Sequence, residues 1–236
     1  MMLVDQLATT PSAPEPSKGE QTRALILETA LRLFKENGYD RTTMRAIAKE
    51  AGVSVGNAYY YFESKEHLVQ GFYDRMIDLH TQASRSILAD EPKFAIRLAG
   101  VLDAWLEVSQ PYHEFAAQFF KNAADPASPL SPFSAESTPA RDAGIGLMRS
   151  VLLGSTAKVD PELREDLPGL LWLYQMAIVL FWVHDKSEGA SKTRMLAQRS
   201  APMIARLVTL SATRVFRPIT REAVQLFRDI GWFKAR

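Results

Sequence analysis

The stretch AGVSVGNAYYYFESKEHL, residues 51–68, sets three consecutive tyrosines beside a turn that contains glycine. If this segment is helical, successive side chains lie about 100° apart around the helix axis, so Tyr59, Tyr60 and Tyr61 cannot all lie on one buried face. At least one phenol is therefore expected to face outward. The stretch predicts a short helix that presents aromatic side chains to something other than its own core.

The residues before this stretch predict another short helix. Its apolar side chains recur with the i, i+3, i+4, i+7 spacing of one helical face: Met44, Ile47, Ala48 and Ala51. Thr42 and Thr43 are candidate N-caps, and Gly52 is placed to end the helix. Ser54 can then cap the helix that carries the tyrosines, which is predicted to run to about Phe62. Two short helices joined by a turn of about three residues that contains glycine form the helix-turn-helix arrangement.

Helices are also predicted on both sides of this pair. Ser17 and Glu20 have the spacing of a capping box, and a first helix is predicted at 18–37. Ser64 can cap a fourth helix, which is predicted at 65–88. The four predicted helices follow one another closely, as expected for a small helical domain.

The remainder of the chain is also predicted to be helical. Pro168 and Pro202 are expected to break or bend the helices that contain them. No alternating pattern of a β-strand stands out, so the fold class is predicted as all-α. The later helices are predicted at 92–109, 111–123, 139–153, 161–185, 191–213 and 218–229. The predicted divisions are a disordered arm at 1–16, a three-helix helix-turn-helix DNA-binding domain at 17–65 and a larger helical domain at 66–236.

The composition limits the possible classes of protein. The chain has 236 residues, a formal net charge of +1 and no cysteine. A nearly neutral chain is not a polybasic binder throughout, but it leaves room for a local basic patch. The lack of cysteine excludes a disulfide framework and fits a cytoplasmic protein.

Residues 1–16 lack the basic and apolar regions of a signal peptide. The apolar run 167–183 falls short of the roughly 20 residues that span a bilayer, which favours a buried helix and no membrane partner.

The helix that carries the tyrosines has a clear division between two faces. Three nearby side chains can pack inward: Val53, Ala58 and Phe62. The other positions then face outward: Val55, Gly56, Asn57, Tyr59, Tyr60 and part of Tyr61. This mixture suits the DNA major groove, because glycine permits close approach, asparagine can pair with adenine and valine can touch a thymine methyl. Tyrosine hydroxyls can donate to phosphates. The helix starts near Thr43 and Lys65 also favour phosphate, and Arg45 can reach a phosphate or a guanine edge.

The segment 23–69 resembles the N-terminal DNA-binding domain of TetR-family transcriptional regulators. The resemblance is carried by the Thr-Thr start, Ile-Ala, Ala-Gly-Val-Ser, the Gly-x-x-Tyr-Tyr-x-Phe run and the Ser-Lys-x-x-Leu ending. The sequence departs from the family at Tyr61, where histidine is common, and at Asn57, where serine or threonine is frequent, so the base that Asn57 reads stays open. The positions that match DNA contacts in the family are Thr43, Arg45, Val55, Gly56, Asn57, Tyr59, Tyr60, Tyr61 and Lys65.

The resemblance implies an all-helical homodimer that binds double-stranded DNA. It implies that the larger domain binds a small molecule and sets the spacing of the two DNA-reading heads. The resulting prediction is a repressor that this ligand releases from a palindromic operator, and the apolar, aromatic composition of the larger domain favours a hydrophobic ligand. The alternative is a helix-turn-helix regulator or activator that a protein partner controls. No cofactor is implied.

The larger domain offers two sets of candidate residues. Aromatic side chains that cluster in sequence are candidates for the ligand pocket, although an ordinary core would show the same pattern: Trp105, Tyr112, His113, Phe115 and Phe119. The segment 167–183 is apolar on nearly all faces, as expected if one face packs inward and another meets a partner subunit. The candidate dimer contacts on it are Trp172, Met176, Val179, Leu180 and Val183.

An enzyme is not indicated. The histidines His67, His80, His113 and His184 are scattered, without the paired spacing of a metal site. Neither a G-x-S-x-G motif nor a glycine-rich phosphate loop occurs. The sequence therefore predicts a binding protein with no catalytic residues and no metal site.

Overall fold

The computed structural model describes residues 17–125 and 127–229, and in those ranges the chain is helical with no β-strand. The predicted arm at 1–16 lies outside the described residues. Short 3₁₀ turns at Gln110–Tyr112 and Glu188–Ala190 precede two of the helices. The α-helices are α1 (Lys18–Asn37), α2 (Met44–Glu50), α3 (Val55–Tyr61), α4 (Lys65–Ala83), α5 (Arg85–Asp90), α6 (Phe94–Ser109), α7 (His113–Ala123), α8 (Thr138–Leu153), α9 (Pro161–His184), α10 (Ser191–Ser211) and α11 (Arg217–Asp229).

The predicted capping residues begin the four N-terminal helices. Ser17 Oγ accepts the N–H of Glu20 at 3.3 Å, and the Glu20 carboxylate accepts the N–H of Ser17 at 2.7 Å, which completes the capping box. Thr43, Ser54 and Ser64 each accept a backbone N–H three residues further on, at 3.2, 3.1 and 3.3 Å. These local bonds fix the helix starts because they satisfy N–H groups that the helix leaves unpaired.

The fourth helix ends earlier than predicted. It stops at Ala83, and a separate helix, α5, follows the buried Ser84. The break lets α5 fold back against α6, where Ile87 packs on Gly100. A Cβ at Gly100 would lie 2.7 Å from Ile87 Cγ1, so this close packing requires glycine. The prediction of one helix to residue 88 was wrong because this contact is not local in sequence.

The two internal prolines do not end their helices. α9 continues through Pro168 and α10 continues through Pro202. Each proline removes one backbone hydrogen bond, but both helices pack in the core on either side of it. Tertiary packing outweighs the local preference here.

The described residues bury two clusters of apolar side chains. The first lies among α6, α8, α9 and α10. The second is formed by α1, α2, α3 and the start of α4. Three residues from later in the chain complete this N-terminal core: Phe115 and Phe119 of α7, and Leu130 of the loop after α7. The two parts of the molecule therefore share a packed boundary.

One described helix, α9, is long and apolar enough to cross a membrane, and half of its most apolar window is buried inside the protein. Leu171, Ile178 and Trp182 are each at most 2% exposed. The helix therefore serves as the central core helix of the larger domain, as the sequence indicated.

Candidate nucleic-acid interface

The helix α3 is held by one face and open on the other. Ala58 and Phe62 are 0% and 1% exposed and pack in the N-terminal core. On the opposite face Val55, Tyr59 and Tyr60 are 38%, 48% and 80% exposed. A helix of seven residues is marginal alone, so its orientation depends on these buried anchors. The result is a rigid support for an exposed face.

The turn between α2 and α3 sets the angle of that face. Gly52 has φ of +68°, a backbone conformation that favours glycine. The N–H of Val53 donates to Ala48 O at 3.0 Å, which closes the turn onto α2. The Ser54 cap then starts α3 directly. The glycine predicted from the sequence to end α2 is therefore the residue that turns the chain into the exposed helix.

The three tyrosines have three different environments. Tyr59 and Tyr60 face outward, while Tyr61 is half-buried and packs against the N-terminal core. The Tyr60 and Tyr61 rings meet edge to face at 5.1 Å between centroids. A Cβ at Gly19 would lie 3.6 Å from the Tyr61 hydroxyl, so this hydroxyl sits against the first turn of α1. The outward phenols inferred from the sequence are Tyr59 and Tyr60.

The two cationic candidates, Arg45 and Lys65, differ in whether their side chains already have partners within the protein. The Arg45 side chain is exposed and makes no ion pair or hydrogen bond with any residue that the structure describes. Lys65 donates to Tyr39 O at 2.9 Å, and its ammonium nitrogen lies 4.4 Å from the centre of the Tyr39 ring. Lys65 therefore fastens the start of α4 to the loop after α1, while Arg45 of α2 presents an unpaired positive charge at the surface. Thr43, exposed at the start of α2, is engaged as the N-cap.

The predicted pocket residues divide between two environments. Phe115 and Phe119 are 4% and 5% exposed and belong to the N-terminal core, where the Phe115 ring stacks on Phe34 at 6.2 Å. Tyr112 joins them, with its ring 5.0 Å from that of Phe72. Three of the five aromatic candidates thus close the N-terminal core, which is the ordinary-core alternative that the sequence left open, and the assignment of the five to a ligand pocket stays a prediction.

Trp105 and His113 lie on the other side, against Trp182 of α9. The Trp105 and Trp182 rings are 5.1 Å apart, and the His113 and Trp182 rings are 4.7 Å apart. Trp182 lies near the end of a long apolar run, where no spacing signal separated it from ordinary core residues.

An open surface pocket of about 370 Å³ lies near the end of α9 and contains none of the predicted residues. It is lined by Phe181, His184, Asp185, Lys186, Ser187 and Lys192.

The predicted dimer contacts are only partly available at the surface. Trp172 and Val183 are 6% and 9% exposed and belong to the core of the larger domain, so these two cannot offer much area to a partner. Met176 and Val179 are half-buried, and Leu180 is 48% exposed. The exposed apolar face on α9 and α10 is formed by Leu180, Phe181, Leu196, Met203, Leu207 and Leu210.

Two family models match the chain. Residues 26–71 match "Bacterial regulatory proteins, tetR family", and residues 97–226 match "Tetracyclin repressor-like, C-terminal domain". Among curated proteins, the regulator TtgR of Pseudomonas putida is 39% identical over 69 residues, which are 29% of this chain and 33% of TtgR. The regulator UidR of Escherichia coli (strain K12) is 41% identical over 54 residues, which are 23% of this chain and 28% of UidR. The match thus spans about a third of the length of these relatives.

Solved structures show the same fold over most of the chain. The TetR regulator from Nitrosomonas europaea has a TM-score of 0.61 at 16% identity, and the match covers 77% of this chain and 96% of that chain. FadR of Thermus thermophilus, a repressor in complex with lauroyl-CoA, has a TM-score of 0.55 at 20% identity and matches over 76% and 93%. Since the C-terminal family model alone matches more than half of the sequence, the chain belongs to the TetR family of bacterial transcriptional regulators.

Proposed function

We propose that this protein is a cytoplasmic, sequence-specific DNA-binding regulator that acts as a homodimer and leaves its operator when a small ligand binds the larger domain. The observation that carries the proposal is the exposed face of α3, with Val55, Tyr59 and Tyr60 outward and Ala58 and Phe62 buried beneath them. A solvated helix face would be rich in flexible charged side chains. This face instead carries aromatic, apolar and amide side chains without a charge, and Arg45 of the preceding helix α2 is exposed.

The composition of the face supports contact with the major groove. No side chain lies within 4 Å of the position that a Cβ would take at Gly56, so the backbone of α3 is open to close approach there. Asn57 and Val55 carry the groups that pair with adenine and touch a thymine methyl. Tyr59, Tyr60 and Arg45 carry donors for phosphates. Val55, Gly56, Asn57, Tyr59, Tyr60, Tyr61, Thr43, Arg45 and Lys65 remain the proposed DNA contacts.

A selection from fragmented genomic DNA tests the proposal directly. Purified, ligand-free protein is expected to enrich a site with two similar half-sites in inverted orientation, because a two-fold symmetric dimer reads two-fold symmetric DNA. A folded protein that enriches no sequence would contradict the proposed function.

Replacing Asn57 with alanine is expected to change which base is preferred at one position in each half-site. Loss of a direct pairing costs about 1–3 kcal/mol for the preferred base and little for the others. Tyr60→Phe is the matched control on the same face: it removes one hydroxyl donor to phosphate, so it should weaken binding about equally on all sequences. Titrations against operators varied one base at a time separate the two patterns. An unchanged base preference in Asn57→Ala would remove Asn57 from base readout.

The proposed dimer uses the exposed apolar face on α9 and α10. On α10 the exposed side chains Leu196, Met203 and Leu207 follow one helical stripe, and Ser200 on this stripe hydrogen-bonds with the Tyr174 hydroxyl of α9. This bond lies at the seam between the two helices, so their exposed faces adjoin. A second copy that packs its own α9 and α10 there would form a four-helix bundle.

A glutamate at Leu207 is expected to dissociate the dimer, because a buried carboxylate without a partner is costly at an interface. Leu207 is 62% exposed in the single chain. The control is Leu153→Glu at the end of α8, where the leucine is 65% exposed and belongs to neither helix of the proposed face. Sedimentation at several protein concentrations should show a monomer for the first variant and a dimer for the second. A dimeric Leu207→Glu protein would place the interface elsewhere.

Control by a small ligand is supported by the arrangement around Trp182. Trp105 and His113 face this side chain inside the larger domain, and FadR, which has this fold, is a repressor that binds lauroyl-CoA. The proposed division assigns DNA contact to 17–65 and regulation to 66–236. The N-terminal core itself extends past residue 65, because Leu68, Val69 and Phe72 of α4 belong to it. α4 therefore links the two proposed functions physically.

A further inference from the structure

The loop between α7 and α8 contacts both parts of the molecule. Its segment 127–137, called here the α7–α8 loop, is rich in serine and proline. Leu130 of this loop is 3% exposed and packs in the N-terminal core. Three residues later, the Phe133 ring meets the Trp172 ring of α9 edge to face, at 5.5 Å between centroids. Trp172 belongs to the core of the larger domain, so this short loop connects the two apolar clusters.

The helix α4 is hydrogen-bonded to the same loop. Gln70 Nε2 donates to Pro129 O at 2.9 Å and to Ser137 Oγ at 3.1 Å. The Tyr73 hydroxyl donates to Leu130 O at 2.8 Å. Gln70 and Tyr73 are three residues apart and therefore lie on the same face of α4. Three hydrogen bonds thus fasten one face of α4 to the α7–α8 loop.

The α7–α8 loop is also bonded to the larger domain. Arg141 of α8 donates to Pro132 O at 3.0 Å and to Ser134 O at 2.9 Å. Within the loop, Ser134 Oγ donates to Pro129 O at 3.1 Å, so this carbonyl accepts from both Ser134 and Gln70. The loop is therefore held by α8 on one side and by α4 on the other.

The position of α4 determines the position of the DNA-reading head, which consists of α1, α2, α3 and the start of α4. Leu68 of α4 and Phe62 of α3 are 0% and 1% exposed and pack in the same core. A change in the direction of α4 therefore carries α3 with it. In the proposed dimer, such a change alters the distance between the two α3 helices. A change of about 3.4 Å along the DNA corresponds to one base pair, so small differences in angle decide which operators fit.

We propose that Gln70, Tyr73 and Phe133 are positioning residues, which act through the α7–α8 loop to hold the DNA-reading head at a fixed angle to the larger domain. They thereby set the distance between half-sites that the dimer accepts. This proposal rests on the proposed function, since it assigns operator selection to residues outside the proposed DNA contacts. It divides that selection in two: α3 reads the bases of each half-site, and the α7–α8 loop sets the distance between them.

The test varies only the distance between half-sites. Operators carry two copies of the selected half-site, with their separation changed by one or two base pairs in either direction, and are titrated with the full-length protein. The wild-type protein is expected to bind the selected separation at least about tenfold more tightly than separations changed by two base pairs.

The double variant Gln70→Leu/Tyr73→Phe keeps the approximate size of both side chains but removes their hydrogen bonds to the loop. It is expected to lower the tenfold ratio to about threefold or less, because a head that is held less firmly adapts to other separations. The base preference within each half-site should stay unchanged, since α3 is unaltered. Gln82→Leu, at an exposed position near the other end of α4, is the matched control and should keep the ratio within about twofold.

The ratio between separations distinguishes positioning from a loss of folded protein. A variant that is only less stable binds every operator more weakly by the same factor, so its ratio does not change. Phe133→Ala tests the contact with Trp172 at a side chain that is 51% exposed, where the fold should tolerate the substitution. This variant should also lower the ratio.

An unchanged ratio in either variant would remove the residues that it replaces from the positioning role. Equal binding of all separations by the wild-type protein would overturn the proposal as a whole. Both outcomes leave operator binding intact and so refute this inference alone. If the wild-type protein enriches no operator, the proposed function fails and this inference fails with it.

Discussion

Replacing Arg97 with methionine is expected to lower the free energy of unfolding by about 3–5 kcal/mol, the largest loss of stability expected from a single substitution in this protein. Arg97 is 3% exposed, and its guanidinium donates to four backbone carbonyls. Two of these end α5, Leu88 O at 2.7 Å and Glu91 O at 2.8 Å. The others are Ser150 O at 2.7 Å and Val151 O at 2.9 Å, in the last turn of α8.

The physical reason is that one charged side chain satisfies the ends of two helices. Carbonyls in the last turn have no partner within their own helix and carry the negative end of the helix dipole, so a cation is favoured there. Methionine keeps much of the apolar stem but removes the donors to all four carbonyls, of which Ser150 O retains a bond from the Gly154 N–H at 3.4 Å. Urea unfolding at one fixed protein concentration measures the loss. Arg149→Met, at an exposed arginine of α8, should change the stability by less than about 0.5 kcal/mol.

Two glycines, Gly146 in α8 and Gly154 directly after it, provide an independent check of the role of Arg97. A Cβ at Gly154 would overlap Arg97 Nη2, so Gly154→Ala should displace the guanidinium and destabilise the protein. Gly146 has open space around its Cα, so Gly146→Ala should instead be neutral or stabilising by up to about 1 kcal/mol, because alanine favours the helix. Equal effects at the two positions would contradict the assigned role of Arg97.

The second large effect expected is a loss of stability in acid that depends on His80. This histidine of α4 is 1% exposed, and its Nε2 contacts Val101 O of α6 at 2.8 Å. Burial lowers the pKa of His80 from 6.5 to about 4, although the hydrogen bond to Val101 opposes the shift. The unfolded chain therefore takes up a proton at a higher pH than the folded protein does. The stability that neutral His80 contributes is complete above pH 6.5 and is lost as the pH falls towards 4.

The matched variant is His80→Gln, whose amide can donate to Val101 O but does not titrate in this range. Between pH 7.5 and 4.5 the wild-type protein should lose about 2–3 kcal/mol more unfolding free energy than the variant. Urea unfolding at both pH values measures the difference, since all other titrating groups are common to the two proteins. An equal loss of unfolding free energy in both proteins would show that the pKa of His80 is the same in the folded and the unfolded protein.

Sequence patterns predicted the N-terminal helices well because the signals there are local. Ser17, Thr43, Ser54 and Ser64 cap their helices through bonds that span three residues, and such bonds can be read from spacing alone. The outward tyrosines follow from helical geometry in the same way. The end of α4 was missed because it depends on contacts from Ile87 to Gly100, which no short pattern shows.

The proposed regulatory site was only partly predictable for the same reason. Trp105 and His113 stand out as aromatic residues close in sequence. Their shared contact is Trp182, which lies 69 residues after His113, and no local pattern shows that contact. Phe115 and Phe119 have the same aromatic character and lie one turn apart, yet their face of α7 meets Phe34 and Phe72. Lys65 matched a family contact, but its bond to Tyr39 O joins positions 26 residues apart. The sequence identified these residues as candidates, but the environment of each one depends on how the helices pack.

The seating of Phe115, Phe119 and Leu130 in the N-terminal core makes the DNA-reading head part of a larger cooperative unit. A fragment that ended at residue 65 would lack these side chains together with Leu68 and Phe72, and would expose the apolar surface they cover. The stability of the DNA-reading head therefore depends in part on residues outside the set of proposed DNA contacts. Replacing one phenylalanine of α7 is therefore expected to lower DNA binding by reducing the folded population of the head, while every proposed DNA contact keeps its side chain.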